Sequence, residues 1–352
     1  MGFCNTLSKD IENIIESNII PWEEYKGSNI MVSGATGLVG SLLCISLLSA
    51  NKKYNLGLNV FAVVRNEQKA ESVFYDLIKD ESFVLVKGDI CSELNVKESI
   101  DYIFHCASVT TSKYMVSNPV ETIETSIFGT HNILKFASEK NVKSFIYLSS
   151  MEMYGTFDSD IEVRENNIGY LDPLAIRSNY PECKRLCENM CEAFYSEYNV
   201  PIRIARLSQM FGAGVRPDDN RVFAQFAKAV IMGEDIVLHT KGLSEGNYCY
   251  TTDSIKALLL IAVKGEPGEA YNVVNPTTHT TIANMANMIA NEIAKGNIKV
   301  VFDIPEENIY GYATETRMKL NSDKLQSLGW KPEIDLKTAY ERLIQYYREV
   351  GI

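Results

Sequence analysis

A tyrosine and a lysine four residues apart, Tyr180 and Lys184, are the residues of this sequence best spaced for proton transfer. On a helix, that spacing places both side chains on one face. A phenol ordinarily has a pKa near about 10. An ammonium group one turn away stabilises the phenolate, so the pair can act as an acid–base catalyst near neutral pH. Because this spacing is common by chance, an ordinary pair of surface helix residues is the alternative interpretation.

Two serines and a glutamate stand before this pair. Ser149 and Ser150 end a predicted strand, and Glu152 follows them. A serine at a strand end can hydrogen-bond a reacting hydroxyl and orient the proton transfer. Glu152 either takes part in the chemistry or only holds a loop. The candidate catalytic residues are therefore Tyr180, Lys184, Ser150 and Glu152.

Three glycines spaced three residues apart lie between an apolar segment at 29–33 and a second apolar segment at 42–48. A strand, a glycine turn and a helix in this order are typical of a dinucleotide site. The glycines permit the tight turn, the approach of a phosphate and close helix packing. The helix N-terminus then offers free N–H groups to a pyrophosphate. The predicted contacts are Gly34, Thr36, Gly37, Leu38, Val39 and Gly40.

Predicted strands and helices alternate from residue 29 to residue 207, which indicates a parallel sheet covered on both faces. Right-handed crossovers make this an α/β, doubly wound (Rossmann) fold. After residue 208 the rhythm loosens, and a smaller, interleaved C-terminal substrate-binding domain is predicted. Three parts are predicted. Residues 1–27 form an N-terminal extension with a helix over 7–20, and residues 28–207 form the NAD(P)-binding domain. Residues 208–352 are mainly substrate-binding, with some segments returning to the sheet.

The end of the second predicted strand bears on which dinucleotide binds. Arg65 and Asn66 stand where an acidic residue would bind the ribose hydroxyls of NAD. An arginine there can meet a 2′-phosphate instead, so NADP is favoured over NAD. A solvated arginine at a strand end is the alternative. Asp89, at the end of the third strand, either accepts from the adenine amine or caps the next helix.

The composition excludes several classes of partner. The net charge of -11 argues against nucleic acid and against an anionic membrane surface, since both attract clustered cations. None of the eight cysteines forms a C-x-x-C pair, and no metal site is predicted. No signal peptide or membrane span is evident, so we expect a cytoplasmic protein.

The motifs together resemble one family. Gly34-x-x-Gly37-x-x-Gly40, the run 149–155, Tyr180-x-x-x-Lys184 and the late segment 328–332 look like the extended short-chain dehydrogenase/reductases. The resemblance extends from about Asn29 to Tyr347. That family contains nucleotide-sugar epimerases, 4,6-dehydratases and decarboxylases. It implies a nucleotide-diphosphate sugar as substrate and a homodimer formed through two long helices, one of them bearing Tyr180.

The resemblance also implies a shared first step. Tyr180 removes a proton from a sugar hydroxyl, usually at C4, while the nicotinamide takes the hydride. Ser150 stands at the position of the family's catalytic serine or threonine, and Lys184 holds Tyr180 and the nicotinamide ribose. The further cofactor contacts that it implies are Ile90, Cys106, Ala107, Ser108 and Leu207.

The fate of the 4-keto sugar is harder to predict. Glu152 matches the glutamate that dehydratases and decarboxylases use beside C5. Met151 stands where many 4,6-dehydratases carry an aspartic acid, and a thioether cannot donate a proton. We therefore predict an epimerase. The alternatives are a 4,6-dehydratase or decarboxylase, a keto-sugar reductase favoured by Arg65, and a non-catalytic cofactor-binding sensor.

The substrate half resembles the family with departures. Arg221 and Val222 fall in a segment that resembles the family segment whose arginine approaches the nucleotide diphosphate. The planar fork of an arginine suits two phosphate oxygens. A second family arginine would fall at Gly246 and is absent, so Arg317 is a candidate replacement. Gln209 stands where the family has a substrate-contacting asparagine. These changes suggest an unusual substrate.

Overall fold

A computed structural model gives the architecture and describes residues 3–75, 77–157, 160–305 and 315–352. Its strands are β1 (Asn29–Ser33), β2 (Asn59–Val64), β3 (Phe83–Lys87), β4 (Tyr102–His105), β5 (Ser144–Ser150), β6 (Glu162–Val163), β7 (Ile202–Leu207), β8 (Gln209–Phe211), β9 (Ile236–Leu238), β10 (Glu245–Gly246), β11 (Tyr248–Tyr250), β12 (Glu269–Val273), β13 (Thr280–Thr281), β14 (Val300–Phe302) and β15 (Lys319–Leu320). Its helices are α1 (Asn5–Ile15), α2 (Leu38–Tyr54), α3 (Glu67–Val73), α4 (Ser112–Ser117), α5 (Pro119–Lys140), α6 (Asn179–Tyr198), α7 (Val222–Met232), α8 (Thr251–Lys264), α9 (Ile282–Met288), α10 (Asp323–Ser327) and α11 (Leu336–Glu349).

Seven of these strands form one parallel sheet in the order β12-β7-β5-β4-β1-β2-β3. The order grows outward from β1 in both directions, which confirms the predicted doubly wound fold. The direction of growth reverses between β1 and β4. In open sheets of this kind, ligands bind beyond the carboxyl ends of the strands at that point.

The sheet is buried on both faces because its strands are nearly continuous apolar runs. In β1, Ile30 and Val32 pack into the core shared with α2 and α8. Met31, pointing the other way, joins the core shared with α5 and α6. Alternation along one strand thus supplies both cores.

The C-terminal half contains a core of its own, formed mainly by α7, α9 and α11 with β8 and β11. Its small sheets are pairs of two- or three-residue strands. One segment of this half, β12, lies at the edge of the central sheet beside β7. The sequence predicts one α-helix over 281–294. This prediction is wrong in part, because α9 ends at Met288 and a π-helical turn continues to Ile293.

The N-terminal helix α1 is shorter than the predicted 7–20. It ends at Ile15, whose carbonyl accepts hydrogen bonds from Trp22 Nε1 at 3.0 Å and Tyr54 Oη at 2.9 Å. These long-range bonds replace the continuation of the helix. Among the described residues, none of the helices combines the length and the apolar character that a membrane crossing requires.

Candidate active site

The predicted cofactor residues lie at one edge of the central sheet. Because the strands are parallel, their carboxyl ends meet along the same edge. The glycine turn follows β1 and contains Gly34, Thr36, Gly37, Leu38, Val39 and Gly40. Strand β2 is followed by Arg65 and Asn66, and β3 is followed by Asp89 and Ile90. Strand β4 is followed by Cys106, Ala107 and Ser108, and β7 ends at Leu207. Leu207 pairs in register with Ser150 at the end of β5. The structure therefore brings these positions to one crevice.

The glycine turn fits a dinucleotide pyrophosphate. Gly34 has a φ of 64°, and a Cβ there would lie 2.7 Å from the Ala107 Cα atom. A Cβ on Gly40 would collide with the carbonyl oxygen of Gly34. Gly37 stands at the N-cap of α2, where no side chain caps the helix and no acidic residue occupies the first turn. The first N–H groups of α2 are thus available to an anion.

Tyr180 lies near the start of α6 and is buried. Burial raises the pKa of its phenol well above the ordinary value, and the negative charge of Glu152 raises it further. Hydrogen bonds from the hydroxyls of Ser150 and Ser108 lower this pKa, as does the positive charge of Arg177. Three neighbours of the tyrosine oxygen thus favour its ionised form, but burial and Glu152 outweigh them.

Lys184 lies one helical turn after Tyr180 and is buried. Its Nζ donates to the carbonyl of Leu148 in β5 at 2.7 Å and lies 5.6 Å from the centroid of the Tyr180 ring. Burial lowers the pKa of its ammonium group. The predicted pair of side chains is thus held at the end of β5, beside Ser150, although the roles of these residues remain predictions.

Glu152 forms an ion pair that sequence reasoning missed. Arg177 Nη2 donates to Glu152 Oε2 at 2.8 Å, and the Arg177 guanidinium carbon lies 6.0 Å from the Tyr180 ring centroid. The signal in the sequence was a cation three residues before Tyr180. Nothing in the sequence related that cation to a carboxylate 25 residues earlier.

Arg65 lies beside Asp89, with 3.9 Å between Nη1 and Oδ2, and both side chains are exposed. Asn66 acts as the N-cap of α3, because its Oδ1 accepts from the backbone N–H of Lys69 at 2.9 Å. Burial lowers the pKa of Lys69, and the neighbouring charges of Arg216 and Arg65 add to this effect. Lys69 thus lies near two other cations, Arg65 and Arg216, which the sequence did not indicate.

His105, at the end of β4, was also missed. Its Nδ1 lies 2.7 Å from Ser33 Oγ and its Nε2 lies 3.1 Å from Thr130 Oγ1. Burial lowers the pKa of His105 to about 3, and the charge of Lys184 contributes. A neutral imidazole therefore connects β1, β4 and α5 beneath the glycine turn.

With this geometry established, sequence comparison decides the family. Residues 30–274 match the model of the NAD dependent epimerase/dehydratase family. The chain belongs to that family. The expected extended short-chain dehydrogenase/reductase family is thereby confirmed.

Members of the epimerase/dehydratase family with different reactions are similar to this chain. The dTDP-D-glucose 4,6-dehydratase of Homo sapiens is 26% identical, over 93% of this chain and 94% of its own length. UDP-glucuronic acid decarboxylase 1 of Danio rerio is 27% identical, over 92% of this chain and 73% of its own length. An epimerase structure from Methanothermobacter thermautotrophicus superposes with a TM-score of 0.79 at 25% identity, covering 94% and 95% of the two chains. The likeness is specific for the family and spans three reactions.

The predicted substrate residues of this epimerase/dehydratase chain are more scattered. Gln209 begins β8, Val222 begins α7, and Arg317 is exposed before β15. Arg221 is engaged locally, since its Nη2 donates to Asp219 Oδ2 at 2.6 Å. Within the described ranges, no hydrogen bond or ion pair joins any of these four candidates to Tyr180, Lys184, Ser150 or Ser108. Their binding of substrate remains a prediction.

Proposed function

We propose that this chain is an NAD(P)-dependent nucleotide-sugar epimerase that works through a transient 4-keto sugar. The observation that carries the proposal is the convergence of Tyr180, Ser150, Ser108 and Lys184 at the carboxyl edge of β5. Family membership supports nicotinamide chemistry on this edge.

Tyr180 is proposed to remove the proton of the sugar hydroxyl, usually the one at C4. Ser150 hydrogen-bonds that hydroxyl and keeps it aligned with the phenol oxygen. Lys184 supplies the positive charge that stabilises the phenolate. A bound nicotinamide supplies a hydride acceptor and later returns the hydride. After the 4-keto sugar has turned over, the hydride returns to the other face of C4, and Tyr180 gives its proton back to the C4 oxygen.

Met151 supports epimerisation over loss of water. It lies in the 3-10 turn Met151–Tyr154 directly after β5 and is buried. A thioether cannot protonate a leaving hydroxyl at C6. A 4-epimerase needs no such donor.

A 4,6-dehydratase or decarboxylase is the second candidate, and Glu152 is the observation that favours it. Its carboxylate lies close enough to Tyr180 to raise the pKa of that phenol. A base in this place could act at the carbon beside the ketone. Two similar proteins, the dehydratase of Homo sapiens and the decarboxylase of Danio rerio, carry out reactions of these classes by name.

NADP is the proposed cofactor, in preference to NAD. Lys69 lies close enough to Arg65 and to Arg216 for its charge to interact with both. Repulsion among three cations is relieved when an anion binds between them, and a 2′-phosphate has the required charge. Arg65 has an exposed side chain and so is accessible to such a group.

The proposed substrate is a nucleotide-diphosphate sugar, with Arg221 and Arg317 as the candidate cations for its phosphates. Arg221 is partly exposed and already presents its fork to two carboxylate oxygens of Asp219. A diphosphate offers the same bidentate geometry.

The chain is proposed to act as a homodimer. Helices α5 and α6, which pack against each other, expose large apolar side chains to solvent. These are Val120, Ile123, Phe128 and Leu186. A second copy that covers them would remove this apolar surface from water. Light scattering of Phe128→Glu against wild type tests the proposal, and an unchanged mass would contradict it.

A product analysis tests the reaction. The protein is incubated with UDP-glucose, dTDP-glucose and UDP-glucuronic acid in the presence of NADP, NADPH or NAD, and products are identified by mass and NMR. An epimerase leaves the mass unchanged and inverts one stereocentre. Loss of water or carbon dioxide would establish the second candidate, and stoichiometric consumption of NADPH would establish a reductase. Tyr180→Phe is the matched control.

A further inference from the structure

Arg177 joins the two turns that carry the catalytic candidates. It lies in the 3-10 turn Ile176–Ser178, immediately before α6 and Tyr180. Its ion pair reaches Glu152 in the 3-10 turn that follows Ser150. Both side chains are about one-third exposed, at 30% and 36%, so the pair borders the crevice rather than the core.

The position of Arg177 has an electrostatic consequence for Tyr180. A phenol that gives up its proton acquires a negative charge, and a neighbouring carboxylate opposes this change. Arg177 bears the opposite charge and contacts that same carboxylate at 2.8 Å. The charged and polar groups that face the Tyr180 oxygen or ring are Glu152 and Ser150 from the end of β5, Ser108 after β4, Lys184 on α6, and Arg177.

We propose that Arg177 is a positioning residue that neutralises Glu152 beside Tyr180 and holds its carboxylate at the sugar. In this way the crevice keeps a second carboxylate while Arg177 offsets part of its effect on the ionisation of the tyrosine. The inference rests on the proposed function for its catalytic meaning. The charge relation itself depends only on the ion pair and its distance to the ring.

Two cations, Lys184 and Arg177, reach the same Tyr180 ring from different elements. Lys184 is buried one helical turn after Tyr180, and its Nζ contacts the Leu148 carbonyl and lies 5.6 Å from the Tyr180 ring centroid. Arg177 approaches the same ring from the turn before α6. Loss of Arg177 leaves the Glu152 carboxylate without this ion-pair partner.

Ionisation of Tyr180 can be measured without a sugar substrate. Tyrosinate absorbance is titrated for wild type, Arg177→Gln and Glu152→Gln/Arg177→Gln with oxidised NADP present, and each protein is compared with its own Tyr180→Phe derivative. We expect the pKa of Tyr180 to rise by roughly one unit in Arg177→Gln. The double variant should return to the wild-type value or below, because both charges are gone.

Arg177→Lys should leave the pKa of Tyr180 close to the wild-type value, since lysine keeps the positive charge. Arg164→Gln is the matched control, because Arg164 makes a 2.9 Å ion pair with Asp323 instead of Glu152. A titration of Arg177→Gln that coincides with wild type would overturn the inference, as would a shift that persists in the double variant. If Arg177→Gln fails to fold, Glu152→Gln alone gives the comparison, because Arg177 then acts on Tyr180 without the carboxylate and the pKa of Tyr180 should fall. An unchanged pKa in Glu152→Gln would then overturn the inference.

The same proteins separate this inference from the proposed function. Single-turnover hydride transfer from UDP-glucose, dTDP-glucose and UDP-glucuronic acid is followed as a function of pH. Absence of hydride transfer in wild type contradicts the epimerase proposal and leaves the tyrosine titration intact. A roughly tenfold slower first step in Arg177→Gln, recovered at higher pH, would support both.

Discussion

The carboxyl edge of the central sheet and the C-terminal half arrange their charged residues differently. At the sheet edge, Tyr180 and Lys184 are buried, and their partners come from β4 and β5. In the C-terminal half, Arg221 and Arg216 pair with acids two residues away, Asp219 and Asp218.

This difference teaches how the two tasks are divided. Partners that come from separate strands are positioned by the whole sheet, and the sheet is buried on both faces. Partners within one loop satisfy each other locally and can exchange for a ligand at small cost. We infer that the first chemical step belongs to the rigid edge and that the choice of sugar belongs to the loops.

Tyr180→Phe should have the largest effect. Removing the phenol oxygen deletes the proposed base, so turnover should fall by about 10³–10⁴-fold. Cofactor affinity should stay within about threefold, because the glycine turn is untouched. Turnover and a cofactor titration measure the two effects. Unchanged turnover would sink the proposed mechanism, and Tyr170→Phe, at an exposed tyrosine, is the control.

Arg65→Glu should separate the two dinucleotides. A reversed charge beside a 2′-phosphate should weaken NADP binding by about 10–100-fold, since each tenfold is only about 1.4 kcal/mol. NAD binding should change much less, which makes NAD the internal control. Calorimetry gives both dissociation constants. If wild type binds NAD alone, the proposed preference is wrong.

In His105→Gln, the free energy of unfolding should fall less steeply than in wild type as the pH falls below 7. The pKa of His105 is about 3 in the folded state, below the usual value of 6.5. The unfolded chain therefore binds more protons between pH 6.5 and 3, and the free energy of unfolding falls as the pH falls through this window. For wild type the loss from this group is about 2 kcal/mol between pH 7 and pH 5. Urea unfolding at the two pH values measures it, and an equal loss in His105→Gln would contradict the assignment.

In Asp253→Asn, the free energy of unfolding should fall more steeply than in wild type as the pH falls below 7, which is opposite to the effect of His105→Gln. Burial raises the pKa of Asp253 from 3.8 to about 6 in the folded state, although its Oδ2 accepts from the N–H groups of Glu333 and Ile334. The folded state therefore binds more protons between pH 3.8 and 6, and its contribution to stability is lost as the pH rises through 6. We expect the asparagine variant to lose about 1 kcal/mol of this acid-side gain between pH 7 and pH 5. The same urea experiment distinguishes the two slopes by sign.

Arg221→Ala should have the smallest effect. Its partner Asp219 is in the same loop, so the fold tolerates the change. The KM for the nucleotide sugar should rise by roughly three- to tenfold with kcat unchanged, as expected for loss of uniform binding. Steady-state kinetics provide both constants. A loss of kcat comparable to that of Tyr180→Phe would break the division between edge and loops.

Much of the sheet half could be predicted because its signals are local. The sequence predicts a long helix over about 119–140, and these bounds agree with α5, where proline occupies the first turn and Asn141 ends the helix in the left-handed conformation. The strands at 83–87 and 202–207 likewise agree with β3 and β7. Helical spacing of apolar residues does not distinguish α from π hydrogen bonding, and so the turn after α9 was missed.

By itself, the sequence determined the doubly wound fold, the glycine turn and the helix face shared by Tyr180 and Lys184. Each of these depends on residues within one turn or one repeating unit, where periodicity and backbone sterics act directly. Only the tertiary structure decided that Arg177 contacts Glu152, that His105 meets Thr130, and that β12 completes the sheet. Those contacts join residues far apart in the chain, and they exist because parallel strands bring distant carboxyl ends to one edge.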